Sequence, residues 1–191
     1  MRLEEMELSL ATQDRIERVV ITTTDPNGSP EPRVMARLFA NGLRMRVDVI
    51  EWNRFFLHLL DPANLALVRD GVVCMVFLRY EDWDHFQEHA RNPDIEPSYG
   101  MVRKKIGDLI YAIDCAAMRC VGRLLLCVLP SSEPVSRVSH LVSFFSEMTD
   151  HMRTSLAHHN SVSVIELRRH RDSLPEDDIR PSKMADRGAL T

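Results

Sequence analysis

Val72-Val73-Cys74-Met75-Val76-Phe77-Leu78 is a seven-residue run without a polar side chain. Successive side chains of a strand point to opposite faces, so a strand made from this run is apolar on both sides and has to be covered on both. Its length suits a strand. The chain has 191 residues, enough for one domain with its own core. Apolar residues are 45% and charged residues 27%, with seven Gly and ten Pro, which disfavours a wholly disordered, collagen-like or coiled-coil chain.

Upstream of that run, Val19 to Thr24 is β-branched and enters an Asp25-Pro26-Asn27-Gly28 turn, the pattern of a strand and its exit. Arg33 to Ala40 and Leu43 to Ile50 both alternate in character and flank Asn41-Gly42, a strong short-range hairpin signal. Phe55, Phe56, Leu59 and Leu60 form a helical stripe that Asp61-Pro62 interrupts. Trp83, Phe86 and Ala90 also recur at helical spacing, and Asn92 to Gly100 reads as a loop. Leu109 to Val121 and Arg123 to Leu129, parted by Gly122, read as two strands or one long bent strand. Ser132 starts a helix carrying Val138, Leu141, Val142, Phe145 and Met148 on one face. His158 to Arg171 offers a further helical pattern. Six strand candidates without regular strand-helix alternation predict an α+β or small-barrel architecture rather than a doubly wound nucleotide fold. The domain is expected to span residues 1–172, with 173–191 as a flexible tail of mixed charge and Pro.

The 24 basic and 28 acidic residues give a net charge of −4, without the one-sign excess of a general nucleic-acid binder. No apolar run approaches the ~18 residues that span a bilayer, and the first ten residues lack the layout of a secretory signal, so no membrane partner and a cytoplasmic location are expected. Cys74, Cys115, Cys120 and Cys127 form no C-x-x-C pair and read as small buried hydrophobes. His85 and His89 have metal-compatible spacing but no third ligand nearby, and the His158-His159 pair sits in a polar stretch; no metal site is predicted. Nucleophile-elbow and glycine-rich phosphate motifs are missing.

One local concentration of charge stands out. A two-residue Asn41-Gly42 turn pairs Arg37 with Arg46 and gathers Arg33, Arg37, Arg44 and Arg46 on one hairpin face, with Asp48 as the single carboxylate. Either the face is solvated, or it meets an anion such as phosphate, which guanidinium groups bind in bidentate fashion.

The stretches ERVVITTTDPNGSPEPRVMARLF, DPANLALVRDGVVCMVFL and EDWDHF, taken in order, resemble the FMN-binding split-barrel superfamily of pyridoxamine-phosphate-oxidase-like and flavin-reductase-like domains. More narrowly, Glu17, Asp114-Cys115 and Val164-Ile165-Glu166 resemble an uncharacterised, mainly archaeal branch in which the acid-Cys pair lies on a strand and the Val-Ile-Glu on a C-terminal helix. The resemblance implies a six-stranded antiparallel split β-barrel with peripheral helices, a homodimer and FMN between the subunits. By position, Thr23, Arg33, Met35, Arg37, Arg46 and Asn64 would line the cofactor. The implied activity is that of an FMN-dependent oxidoreductase acting on a small organic substrate. A flavin-free dimer that binds another ligand or is purely structural, and a protein of pterin-linked one-carbon metabolism, are the alternatives.

Overall fold

The structure of the protein is a computed structural model in which residues 18–24, 46–61, 71–119 and 122–167 are described. Five strands form one sheet: β1 (Arg18–Thr23), β2 (Arg46–Val49), β3 (Val72–Leu78), β4 (Arg123–Val128) and β5 (Val162–Glu166). Their order is β2-β1-β3-β4-β5. Every neighbouring pair is parallel, with Val20 opposite Asp48 and Cys74, Cys74 opposite Leu124, and Leu126 opposite Val164. This overturns the six-stranded antiparallel split barrel. The expectation that the chain lacks strand-helix alternation fails with it, because helices occupy the described parts of the β2–β3, β3–β4 and β4–β5 connections.

Those helices are α1 (Trp52–Leu60), α2 (Phe86–His89), α3 (Tyr99–Ala117), α4 (Glu133–Ser136) and α5 (Ser139–Leu156), with a 3₁₀ turn at Tyr80–Trp83. Parallel strands cannot be joined by a tight hairpin, so each connection has to recross the sheet, and a helix does so with its backbone satisfied. The second arm of the predicted Asn41-Gly42 hairpin is β2, and its described partner is β1, in parallel; the first arm lies outside the described residues.

The central run behaves as its composition requires. All seven β3 side chains are buried, and they divide by parity between two cores. Val72, Cys74, Val76 and Leu78 join Val20, Leu124, Leu126 and Val128 under α1, α3 and α5. Val73, Met75 and Phe77 join Val19, Ile21, Leu125, Cys127 and Ile165 on the opposite face. Burying each such side chain fully contributes roughly 1.5–3 kcal/mol.

Two elements differ from the sequence reading. Leu109 to Ala117 belongs to α3, capped by the Ser98 hydroxyl accepting from Met101 N; Val102, Ile106, Leu109, Ile113 and Ala116 make its buried stripe. The stripe begins in the polar-looking Arg103-Lys104-Lys105 region, so a reading that starts at Leu109 sees only an apolar run. The second is His158 to Arg171, of which Val162–Glu166 is β5. Asp114-Cys115 therefore lies on a helix and Val164-Ile165-Glu166 on a strand, the reverse of what the resemblance implied. Cys74 and Cys127 are buried as expected, Cys115 is half-buried, and Cys120 lies outside the described residues. The 173–191 tail also lies outside them. No helix among the described residues is long and apolar enough to cross a membrane.

Leu126 is fully buried in β4 whereas Val142 on α5 is 44% exposed, although both belong to apolar patterns in the sequence. In urea unfolding, Leu126→Ala is expected to cost about 2–5 kcal/mol and Val142→Ala to stay within about 0.5 kcal/mol.

Candidate functional site

In an all-parallel sheet the carboxyl ends of the strands share one edge. Here β1 leads to β2 on one side while β3 lies on the other, so the chain changes direction between β1 and β3. Open parallel sheets hold their ligands at such a switch point, outside the carboxyl ends. Thr23 and Thr24 end β1 at this place, and Arg79 to Trp83 leave β3 beside them.

This edge is closely knit by hydrogen bonds. Thr24 N donates to Phe77 O at 3.0 Å, carrying the β1/β3 pairing one residue past the strand, and Arg79 N donates to Thr24 Oγ1 at 2.9 Å. The Thr24 hydroxyl has Arg79 O and Asp82 Oδ2 as acceptors, each at 3.4 Å. Glu81, with a fully buried side chain, accepts from Ser132 N at 2.9 and 3.0 Å, from the Ser132 hydroxyl at 3.1 Å and from Gln87 Nε2 at 3.4 Å. A buried carboxylate is tolerated only when paired and hydrogen-bonded. Ser132, expected to cap a helix through its side chain, instead fixes the β4 exit to the β3 exit through Glu81.

Three buried polar atoms among the described residues have no hydrogen-bond partner: Thr22 Oγ1, Arg79 Nε and Trp83 Nε1. All three lie in the last residues of β1 or in the segment leaving β3. Glu81 Oε1 is 3.9 Å from Arg79 Nε, within ion-pair range but beyond a hydrogen bond. Buried donors without hydrogen-bond partners are rare and costly, about 1–3 kcal/mol each, and all three of these fall on the exits of β1 and β3. At the opposite edge, a pocket lined by Leu59, Cys74, Ala116 and Leu124 among others has a cavity of only ≈ 20 Å³, room for about one water.

Other reactive groups nearby are occupied. The Thr149 hydroxyl donates to Phe145 O at 2.9 Å, which leaves Tyr80 to donate to Thr149 Oγ1 at 3.1 Å. Burial pushes the Tyr80 phenol up to about 12, and it does the same to the Cys127 thiol, so neither ionises near neutrality. His85 pairs with Glu88, and His89 Nδ1 meets Ile95 O at 2.7 Å.

Of the residues the resemblance named, Thr23 is at the carboxyl end of β1 and Arg46 at the amino end of β2, opposite Arg18. Five residues of strand separate those levels, about 17 Å. The two do not share a site. Arg33, Met35, Arg37 and Asn64 lie outside the described residues, as does Arg44. Arg46 meets an acid of its own strand: Asp48 accepts from Arg46 Nε at 3.0 Å and also pairs with Arg18.

Comparison with protein-family models, with curated proteins and with solved structures finds no match to this chain.

Two outcomes are expected from these contacts. Glu81→Gln removes the charge and an acceptor from the Ser132 clamp and should cost about 1.5–3 kcal/mol in chemical denaturation. For Asp48, burial favours the neutral form, but the hydrogen bonds and charges of Arg46 and Arg18 outweigh it and hold the carboxyl below its ordinary 3.8. A depressed carboxylate stabilises the fold above its unfolded value and loses that contribution as pH falls through the folded value. Asp48→Asn should therefore lower stability by ~1 kcal/mol or less at pH 7, and the gap from wild type should close as the pH is taken below 3.8.

Proposed function

We propose that the protein binds a small molecule carrying a carboxylate or phosphate at the carboxyl edge of the sheet, between β1 and β3. The occurrence of three buried polar atoms without a hydrogen-bond partner, Thr22 Oγ1, Arg79 Nε and Trp83 Nε1, on the exits of β1 and β3 carries this reading. Arg79 supplies the cation, its side chain about one-third exposed and so reachable from solvent. Charge-assisted hydrogen bonds from guanidinium to such oxygens are the strong ones. The Glu81 clamp on Ser132 and the Thr24 bond to Arg79 N hold the surrounding backbone, so little ordering is left for the ligand to impose.

FMN is a second, narrower reading, favoured by strand order: sheets of the order 2-1-3-4-5 seat FMN at this switch point in the flavodoxin-like proteins. The donors at the edge suit its phosphate. If bound, FMN would supply hydride or electron transfer to a small organic substrate. The broader reading needs only the anionic group.

Calorimetric titration of the purified chain with inorganic phosphate, a nucleoside monophosphate, a short dicarboxylate and FMN distinguishes these readings. At least one should bind saturably, with Arg79→Ala weakening it about 10- to 150-fold, the loss of one charge-assisted hydrogen bond. Arg46→Ala, at the other edge, should leave it unchanged. Binding of FMN alone supports the narrower reading. Failure of all four, or equal affinity in wild type and Arg79→Ala, contradicts the site.

A further inference from the structure

The amino-terminal edge of the sheet carries a second arrangement. Asp114, in the last turns of α3, faces the turn between α5 and β5, where His158 and His159 are adjacent. His159 Nε2 is 2.8 Å from Asp114 Oδ1, and His158 Nε2 is 3.7 Å from the same oxygen. One ligand atom from each of the three residues lies within 4.8 Å of the others. We infer that Asp114, His158 and His159 form a binding site for a divalent transition-metal ion of the zinc type.

The geometry favours this over a simple ion pair. A tetrahedral ion with bonds of about 2.0–2.1 Å holds its donors about 3.3 Å apart. The two distances to Asp114, 2.8 and 3.7 Å, lie on either side of that value, so a small side-chain rotation seats an ion between all three groups. The imidazole rings lie against each other, centroids 3.9 Å apart and tilted by 42°, and both present Nε2 to the same Asp114 oxygen. Two imidazoles and one carboxylate suit zinc, cobalt or nickel and do not suit magnesium or calcium, which take oxygen ligands.

The backbone around the site is set before any ion arrives. His159 N donates to Leu156 O at 3.1 Å and Val162 N to His159 O at 3.2 Å, which fixes the turn. His159 is mostly buried, its side chain 13% exposed, whereas His158 is 62% exposed and leaves the ion open to solvent. The ion would therefore have three protein ligands and a water, and would tie the end of α3 to the start of β5. It lies at the edge opposite Arg79 and is independent of any ligand there.

Zinc titration of the full chain after chelator treatment, in competition with a chromophoric chelator, tests the site; cobalt substitution reports its geometry. Wild type should take up one equivalent with a dissociation constant below about 10 µM. His158→Gln, His159→Gln and Asp114→Asn should each weaken uptake at least tenfold, the triple variant should abolish it, and cobalt should give the visible spectrum of a four-coordinate ion. Zinc should also raise the melting temperature of wild type and not of the triple variant. His158→Gln, at the most exposed of the three positions, keeps the test valid if the buried variant misfolds. No saturable uptake by wild type, or equal uptake by wild type and His158→Gln, overturns the site.

Discussion

A strand with no polar side chain has two faces to bury, and β3 meets that demand by sitting in the middle of the sheet with both neighbours running parallel to it. The rest of the fold depends on this placement. Because β1 and β4 run the same way as β3, their side chains sort by parity into the same two cores, with Val20, Cys74 and Leu124 on one face and Val19, Met75 and Leu125 on the other. Parallel pairing in turn excludes tight hairpins between neighbours. The described connections therefore contain helices, and the apolar stripes of α1, α3 and α5 cover the first of those faces.

The same arrangement brings the polar chemistry together. Every strand ends at the same edge, so the first polar residues after each apolar strand meet there: Thr24 after β1, Arg79 and Glu81 after β3, Ser132 after β4. Most of their polar atoms satisfy one another, and Glu81 is held by both the backbone and the side chain of Ser132. Among the described residues, the buried atoms left over lie in the last residues of β1 and in the segment leaving β3. Thus the constraint that buries β3 also leaves buried polar atoms without hydrogen-bond partners at the ends of β1 and β3.

Much of the layering was legible in the sequence and the direction of the strands was not. The Val19 to Thr24 run, the Phe55/Leu59 stripe, the Val72 to Leu78 run and the Leu141/Phe145/Met148 stripe each became the element their pattern predicts, since burial and periodicity are local properties. Whether an apolar strand pairs parallel or antiparallel is decided by its partner, and a fully apolar run such as β3, together with the absence of a tight turn after Leu78, is the one cue that points to parallel pairing. The short motifs on which the split-barrel resemblance rested carried no information on strand direction. β5 was missed because Val162 and Ile165, three apart, admit a helical reading, although β-branched residues at the density of Val162, Val164 and Ile165 favour a strand.

The candidate sites divide in the same way. Thr23 was legible as a strand end and lies at the switch point, whereas the arginine-rich face drew attention to Arg46, whose charge Asp48 and the amino edge already accommodate. Arg79 carried no motif, Glu81 entered the reading only within the EDWDHF stretch and Ser132 only as a helix start; the signal the three share is their position directly after buried strands. The Asp114 and His159 pair is 45 residues apart in sequence and meets only because α3 and the α5 to β5 turn end at one edge.

The most direct measurement of the central claim is the pattern of nuclear Overhauser effects between β1 and β3 in isotopically labelled protein. Parallel pairing in the register Ile21 to Met75 and Thr23 to Phe77 predicts Hα–amide and amide–amide contacts between the two strands without strong Hα–Hα cross-peaks. Strong Hα–Hα cross-peaks between these strands, as antiparallel pairs produce at their close non-hydrogen-bonded positions, would contradict the open parallel sheet and the ligand edge it creates.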